Sequence, residues 1–156
     1  YQPVGYAFSI NMGEASQSAN AREPILAIRL KSGAISNATI KKITMMSTSG
    51  SNFLAEVWRF VDKSASSVLN NSSFISVNDE SDVEYNAIAQ SITLTDGLLL
   101  NSAYTSNNSD VLSITNHSES GRLTTNNGTS DLIVICAMTV GSTESYIVSI
   151  DWSEFI

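Results

Sequence analysis

One histidine and one cysteine, His117 and Cys136, are the chain's whole supply of the side chains that most often carry nucleophilic and acid–base chemistry near neutral pH. Any Ser–His or Cys–His pair must therefore use His117. That residue lies in a polar, loop-like stretch with no motif around it and reads as a solvated histidine. Cys136 sits inside the apolar run Leu132 to Met138 and reads as a small core residue. A lone cysteine excludes an intramolecular disulfide. A zinc site would need several His and Cys ligands, and no glycine-rich phosphate cradle is present. Two carboxylates across a cleft suffice for glycoside hydrolysis. Glu56 is the candidate, because period-two alternation places it on one strand face with Trp58 and Phe60. Its plainer reading is a carboxylate near an edge or interface, paired with Arg or Lys; Arg59 interrupts the opposite face and carries the same expectation.

The stretch from Asn78 to Glu84 gathers the carboxylates of Asp79, Glu80, Asp82 and Glu84. Calcium prefers several oxygen ligands from one flexible loop, but the EF-hand's central glycine and spacing are missing, so a solvated acidic loop is preferred. The expectation is no catalytic residue, no metal and no cofactor. Aromatics remain as possible contact residues. Tyr1, Tyr6, Trp58, Tyr85, Tyr104 and Trp152 could stack on sugar or anchor a partner, although strand aromatics are more often core. Trp58, Tyr85 and Tyr104 are taken as the binding candidates, with Trp152 assigned to capping a core.

The surrounding elements read as strands. Only 15% of the 156 residues are charged, against about 25% in ordinary globular domains. Ser, Thr and Asn replace the missing charge, and these favour turns and strand faces over helices. Val4 to Asn11 alternates as a first strand, and residues 12–24 read as a loop. Ile25 to Lys31 places Leu26, Ile28 and Leu30 on one face and Arg29 and Lys31 on the other, the pattern of a half-buried strand. Ala38 to Ser47 and Phe53 to Val61 flank Ser49-Gly50-Ser51-Asn52 and read as a hairpin. Residues 62–73 read as a polar loop, followed by short strands at Phe74 to Val77 and Val83 to Tyr85. Thr95-Asp96-Gly97 turns Ile92 to Leu94 into Leu98 to Tyr104, and Val111 to Thr115 is another short strand. Within the polar stretch 116–130, Asn126-Asn127-Gly128 signals a turn. Leu132 to Thr139 is apolar on both faces and reads as a central strand, returning through Gly141-Ser142 into Ser145 to Trp152. One short helix each is allowed at 14–22 and 84–91.

Many short strands with polar turns predict an all-β fold, an antiparallel β-sandwich of jelly-roll type, as a single domain over residues 1–156. A net charge of −7 repels phosphate backbones and anionic membrane surfaces, so nucleic acid and membrane are excluded as partners. The longest apolar run is too short for a membrane helix. Without an initiator Met or a signal peptide, the chain is expected to be a processed product, a fragment or the ordered part of something longer.

Asp82-Val83-Glu84-Tyr85-Asn86, then Ile92-Thr93-Leu94 and Gly97 through Tyr104, resembles a pattern in virion proteins of tailed bacteriophages. There a Ser-x-Val-Glu-Tyr segment precedes a Gly-led strand ending in a small residue and Tyr. The closing Val148-Ser149-Ile150-Asp151-Trp152-Ser153-Glu154 is similar to their Ser-Leu-x-Trp-x-Glu ending. Ile25 to Lys31 followed by Asn37 to Ile43 fits the same layout, and residues 105–130 depart from it as a long polar insert. The resemblance implies an extracellular virion surface protein of tail-fibre, baseplate or capsid-decoration type, a homotrimer in contact with other virion proteins. It carries over no site residue. The apolar surplus of Phe53 to Val61 points independently to subunit contacts. Two other readings stand beside this one: a lectin-like module binding host-surface glycan, and a glycan-degrading enzyme using Glu56.

Overall fold

The computed structural model describes residues 5–17, 22–48, 52–71, 73–87, 91–105, 111–115, 122–126, 128–139 and 144–155. Eight principal strands carry the architecture: β1 (Gly5–Gln17), β2 (Glu23–Leu30), β3 (Asn37–Ser47), β4 (Leu54–Phe60), β7 (Leu98–Tyr104), β8 (Val111–Thr115), β12 (Leu132–Met138) and β13 (Glu144–Phe155). Between them lie a helical turn α1 (Ala65–Val68) and the short strands β5 (Ile75–Ser76), β6 (Val83–Asn86), β9 (Arg122–Leu123), β10 (Thr125–Asn126) and β11 (Thr129–Ser130). One sheet runs β1-β13-β3-β8, with β9 also pairing β3; the other runs β5-β6-β2-β12-β4-β7. Among the described strands every pairing is antiparallel.

Renumbered one to eight along the chain, the principal strands lie in the orders 1-8-3-6 and 2-7-4-5. That interleaving is the jelly roll, in which the chain changes sheet at nearly every connection. The all-β sandwich expected from sequence is thus observed, but two of its expected hairpins are not. β3 and β4 lie in different sheets, as do β12 and β13. Alternation and a turn signal are the same whether the chain folds back beside itself or crosses the roughly 10 Å between layers.

The main core lies between the sheets. Leu26, Ile28, Phe53, Ala55, Val57, Ile133 and Ile135 come from one sheet, and Ile40, Ile43, Met45, Tyr146, Val148, Ile150 and Trp152 from the other. Phe53 and Tyr146 meet edge to face across the layers, with ring centroids 5.0 Å apart. Tyr146, Val148, Ile150 and Trp152 share one buried face of β13, as their spacing predicts. In β3, Asp151 pairs with Lys42 and Trp152 with Ile40, leaving Lys41 as an extra residue. This bulge turns two consecutive lysines outward and keeps Ile40 and Ile43 both inward.

A second, smaller core lies on the outer face of the six-stranded sheet. There α1 and the segment around Ile92 and Leu94 cover Ala27, Phe60, Val134 and Cys136. This sheet is therefore buried on both faces, which explains why β12 is apolar at every position. It also corrects the half-buried reading of β2, whose residues Pro24 through Ile28 are all buried. The surplus apolar faces of β4 are consumed the same way, within the chain. Phe53, Ala55 and Val57 enter the main core, and Trp58 and Phe60 pack in the second.

Other boundaries also move. β1 runs past the expected Asn11 end to Gln17, because pairing with β13 resumes after an irregularity between Met12 and Ala15. Residues 14–17 and 84–86 are strand rather than helix, and the helical turn falls instead in the expected loop 62–73. Thr125↔Ser130 and Asn126↔Thr129 pair antiparallel, so β10 and β11 form a hairpin where the turn signal stands, with Gly128 at φ 81°; Asn127 lies outside the described residues. Asp96, also left-handed at φ 62°, leads into Gly97, whose N–H donates to the Leu94 carbonyl.

Candidate functional site

Trp58, Tyr85 and Tyr104 are not brought together. Trp58 projects from β4 onto the outer face and packs against the second core; its indole N–H is buried without a hydrogen-bond partner among the described residues. Tyr85 lies opposite Ile28 and Ile75 and packs against the main core. Tyr104 ends β7, on the opposite side of the sheet from β6, and is 60% exposed. Four strand spacings, about 19 Å, separate the strands of the two tyrosines.

Glu56 is buried on the same outer face, paired with the Arg22 guanidinium and directly opposite Cys136. β4 lies between β12 and the edge strand β7, so Glu56 and Arg59 are near an edge as expected, and each is neutralised inside the chain. Arg59 Nη2 donates to Asp131 Oδ2 at 2.8 Å, and the same oxygen accepts from the Thr124 hydroxyl and N–H at 3.0 and 3.2 Å. Burial, with Glu56 adding to it, pushes the Cys136 thiol up to about 12. A thiol held neutral at physiological pH is no nucleophile. His117 lies outside the described residues.

The acidic segment is tied down by the protein itself. Asn78 Oδ1 accepts from the N–H groups of Glu80 and Ser81, both at 2.9 Å. Asp82 accepts from the Ser36 hydroxyl at 2.6 Å, and Glu84 from Arg29 Nε at 2.6 Å. Two of the four carboxylates are thus engaged by protein donors, and Asp79 and Glu80 remain exposed. Among the described residues no cluster of three or more His, Cys, Asp or Glu is placed to hold a metal ion.

Beneath this loop lies a carboxylate that sequence reasoning missed. Glu154 is buried at the end of β13. It accepts from the Ser81 hydroxyl at 2.6 Å, the Asp82 N–H at 2.6 Å and Trp152 Nε1 at 3.0 Å. The signal was available: period two places Glu154 on the same face as Trp152, Ile150 and Val148, where a carboxylate needs donors. The acidic segment and the end of β13 therefore meet as one polar clasp between the sheets.

No protein-family model matches the chain, and no curated protein matches it. Similar solved structures include one of infectious bursal disease virus, Gx strain, at 11% identity and a TM-score of 0.39. The match covers 98% of this chain and 32% of that one, so the chain spans about a third of that protein's length. Another is Desmodium yellow mottle tymovirus, at 14% identity and a TM-score of 0.39, covering 99% of this chain and 88% of that one. Similarity at this level carries no functional argument, and the jelly-roll assignment rests on the strand order itself.

Proposed function

We propose that this chain is a virion surface structural protein, a fibre, baseplate or capsid-decoration domain, that acts by assembly into a homotrimer and without catalysis. The observation that carries this reading is the β7 edge. Among the described residues β7 has no partner on its far side, and residues 97–105 contain neither charge nor proline. Leu98 and Leu99 are 58% and 42% exposed, beside Tyr104. Edges of soluble sheets are ordinarily guarded by charge, proline or bulges; β7 has only the last, an extra residue at Leu100 against β4, and without charge or proline the rest of its edge is open to another chain. Self-association or contact with other virion proteins would cover it. The resemblance of 82–86 and 148–154 to phage virion motifs supports the same reading.

Light scattering and sedimentation at micromolar concentration test it. A stable trimer, dissociated by Leu99→Lys with the fold intact by circular dichroism, is the expected result. A clean monomer would overturn it.

A carbohydrate-binding, lectin-like role is favoured by one observation, the exposure of Tyr104, an aromatic face open to a host-surface glycan. Trp58 and Tyr85 stand as further proposed contacts. A glycan array with wild type and Tyr104→Ala separates this role from a purely architectural one.

A further inference from the structure

At the end of the six-stranded sheet, where β2 leaves and β12 begins, a cavity of about 430 Å³ opens between the start of α1 and the β10–β11 hairpin. Three of the chain's eight basic residues line it, Arg29, Lys31 and Lys63, against a single carboxylate, Glu84. Two of the three are ion-paired, Arg29 with Glu84 and Lys63 with Asp96, which leaves a local excess of one positive charge in a protein of net charge −7, the sign that attracts an anion.

The cations are oriented yet not consumed. Arg29 lies over the Phe74 ring, its guanidinium carbon 4.0 Å from the centroid, and spends Nε on Glu84. Its terminal nitrogens make no hydrogen bond among the described residues, so the fork that suits a carboxylate stays open. Lys31 Nζ donates to the Asn78 carbonyl at 3.0 Å, and Lys63 Nζ pairs with the largely exposed Asp96 at 3.0 Å. Each ammonium keeps further donors. The remaining lining mixes the hydroxyl-bearing Ser32, Ser64, Thr129 and Ser130 and the small Gly128 with the apolar Leu30, Ala65 and Leu132. Fixed cations beside hydroxyls and a small apolar patch match a ligand that carries a carboxylate, several hydroxyl groups and the apolar C–H face of a sugar ring. The volume lies at the small end of the range for ligand pockets, about 300–1,000 Å³.

We propose that this cavity is a binding site for a carboxylated sugar, with Arg29, Lys31 and Lys63 receiving the carboxylate and the serine and threonine hydroxyls receiving the ring. The site is separate from the β7 edge, so it stands or falls independently of trimer assembly.

Methyl β-glucuronide is the probe, titrated into the ¹⁵N-labelled protein at low and physiological salt, with methyl β-glucoside and sodium sulfate as matched controls. The expected result is saturable amide shifts at Arg29 to Ser32, Lys63, Ser64 and Gly128 to Ser130, with a Kd of about 1 mM. The glucoside and sulfate should each bind about tenfold more weakly. The double charge reversal Lys31→Glu/Lys63→Glu should abolish the shifts, while Lys41→Glu, on the outward bulge of β3, leaves them intact. Arg29→Lys, which keeps the charge and loses the fork, should weaken binding in case the double variant fails to fold. Equal binding of sulfate and glucuronide, shifts centred elsewhere, or no shift at all would each overturn the proposal.

Discussion

Replacing Glu154 by glutamine exchanges one oxygen for an amino group and leaves the side chain's shape unchanged. The clasp cannot accept the exchange. One carboxylate oxygen receives the Asp82 N–H; the other receives the Ser81 hydroxyl and Trp152 Nε1. A backbone N–H and an indole N–H can only donate. Whichever way the amide is turned, its NH₂ therefore faces one of them, and only the Ser81 hydroxyl can rotate to compensate. The orphaned buried donor costs about 1–3 kcal/mol. The surviving bonds lose their charge assistance, a further loss of about 1 kcal/mol. The total is about 3 kcal/mol, which lowers a urea midpoint by about 1.5 M for an m-value of about 2 kcal/mol/M. Glu154→Ala, which orphans all three donors, should cost more, about 4–6 kcal/mol. Ser81→Ala removes a donor to Glu154 and also the acceptor of the buried Val83 N–H, so it should cost about 2–3 kcal/mol, and a double-mutant cycle with Glu154→Gln should show coupling of at least about 0.5 kcal/mol. Urea unfolding followed by Trp fluorescence measures all of these. A Glu154→Gln protein within about 0.5 kcal/mol of wild type would refute the claim that a carboxylate with three donors closes this end of the sandwich.

Gly97→Ala should destabilise by about 1–3 kcal/mol, since the new methyl would sit 2.7 Å from Phe60 Cε1 and 3.0 Å from the Leu94 carbonyl. Adding Phe60→Leu should make the alanine less costly, and independent effects would contradict the clash. Trp58→Phe removes a buried N–H that has no partner among the described residues, so thermal unfolding should show it neutral or slightly more stable; a loss above about 1 kcal/mol would contradict this. Cys136 should resist thiol reagents in the native protein and react only on unfolding. Its folded value near 12 exceeds the ordinary 9.0, so the unfolded state loses the proton first. Its contribution to stability is intact below pH 9 and is lost between 9 and 12, which alkaline unfolding of Cys136→Ala against wild type would detect.

Strand positions were legible because burial imposes a period of two, and Ile40, Ile133 or Trp152 fill the interior as that period demands. The partner of each strand was not. β3 and β4 satisfy every local rule for a hairpin, and only the global order of the sheets separates them. The Lys41 bulge was invisible for a related reason, because an extra residue reads as a lapse in alternation unless the partner strand is known. α1 escaped notice because one turn of Ala, Ser and Val has no helical period to show; it is held by tertiary packing, with Ala65 and Val68 buried and Val68 part of the second core. Of the candidate site, the residues were legible but not their grouping. Arg29 and Lys31 were seen on one strand face, whereas Lys63 and the Gly128 turn join them only through the fold. Glu56 was judged correctly as a paired carboxylate, and its partner Arg22 lies 34 residues away.

The Lys41 bulge and the double coverage of one sheet together leave the two sides of the molecule unequal. The outward positions Ala27 on β2 and Val134 and Cys136 on β12 are interior in all but name, and a bulky graft there would pry off α1. Outward positions on β3 and β13, such as Lys41, Lys42 and Asp151, are exposed in the isolated chain. Epitopes, fluorophores or cross-linkers should be installed on that lysine-bearing side, which makes it the natural handle for imaging the protein without disturbing its architecture.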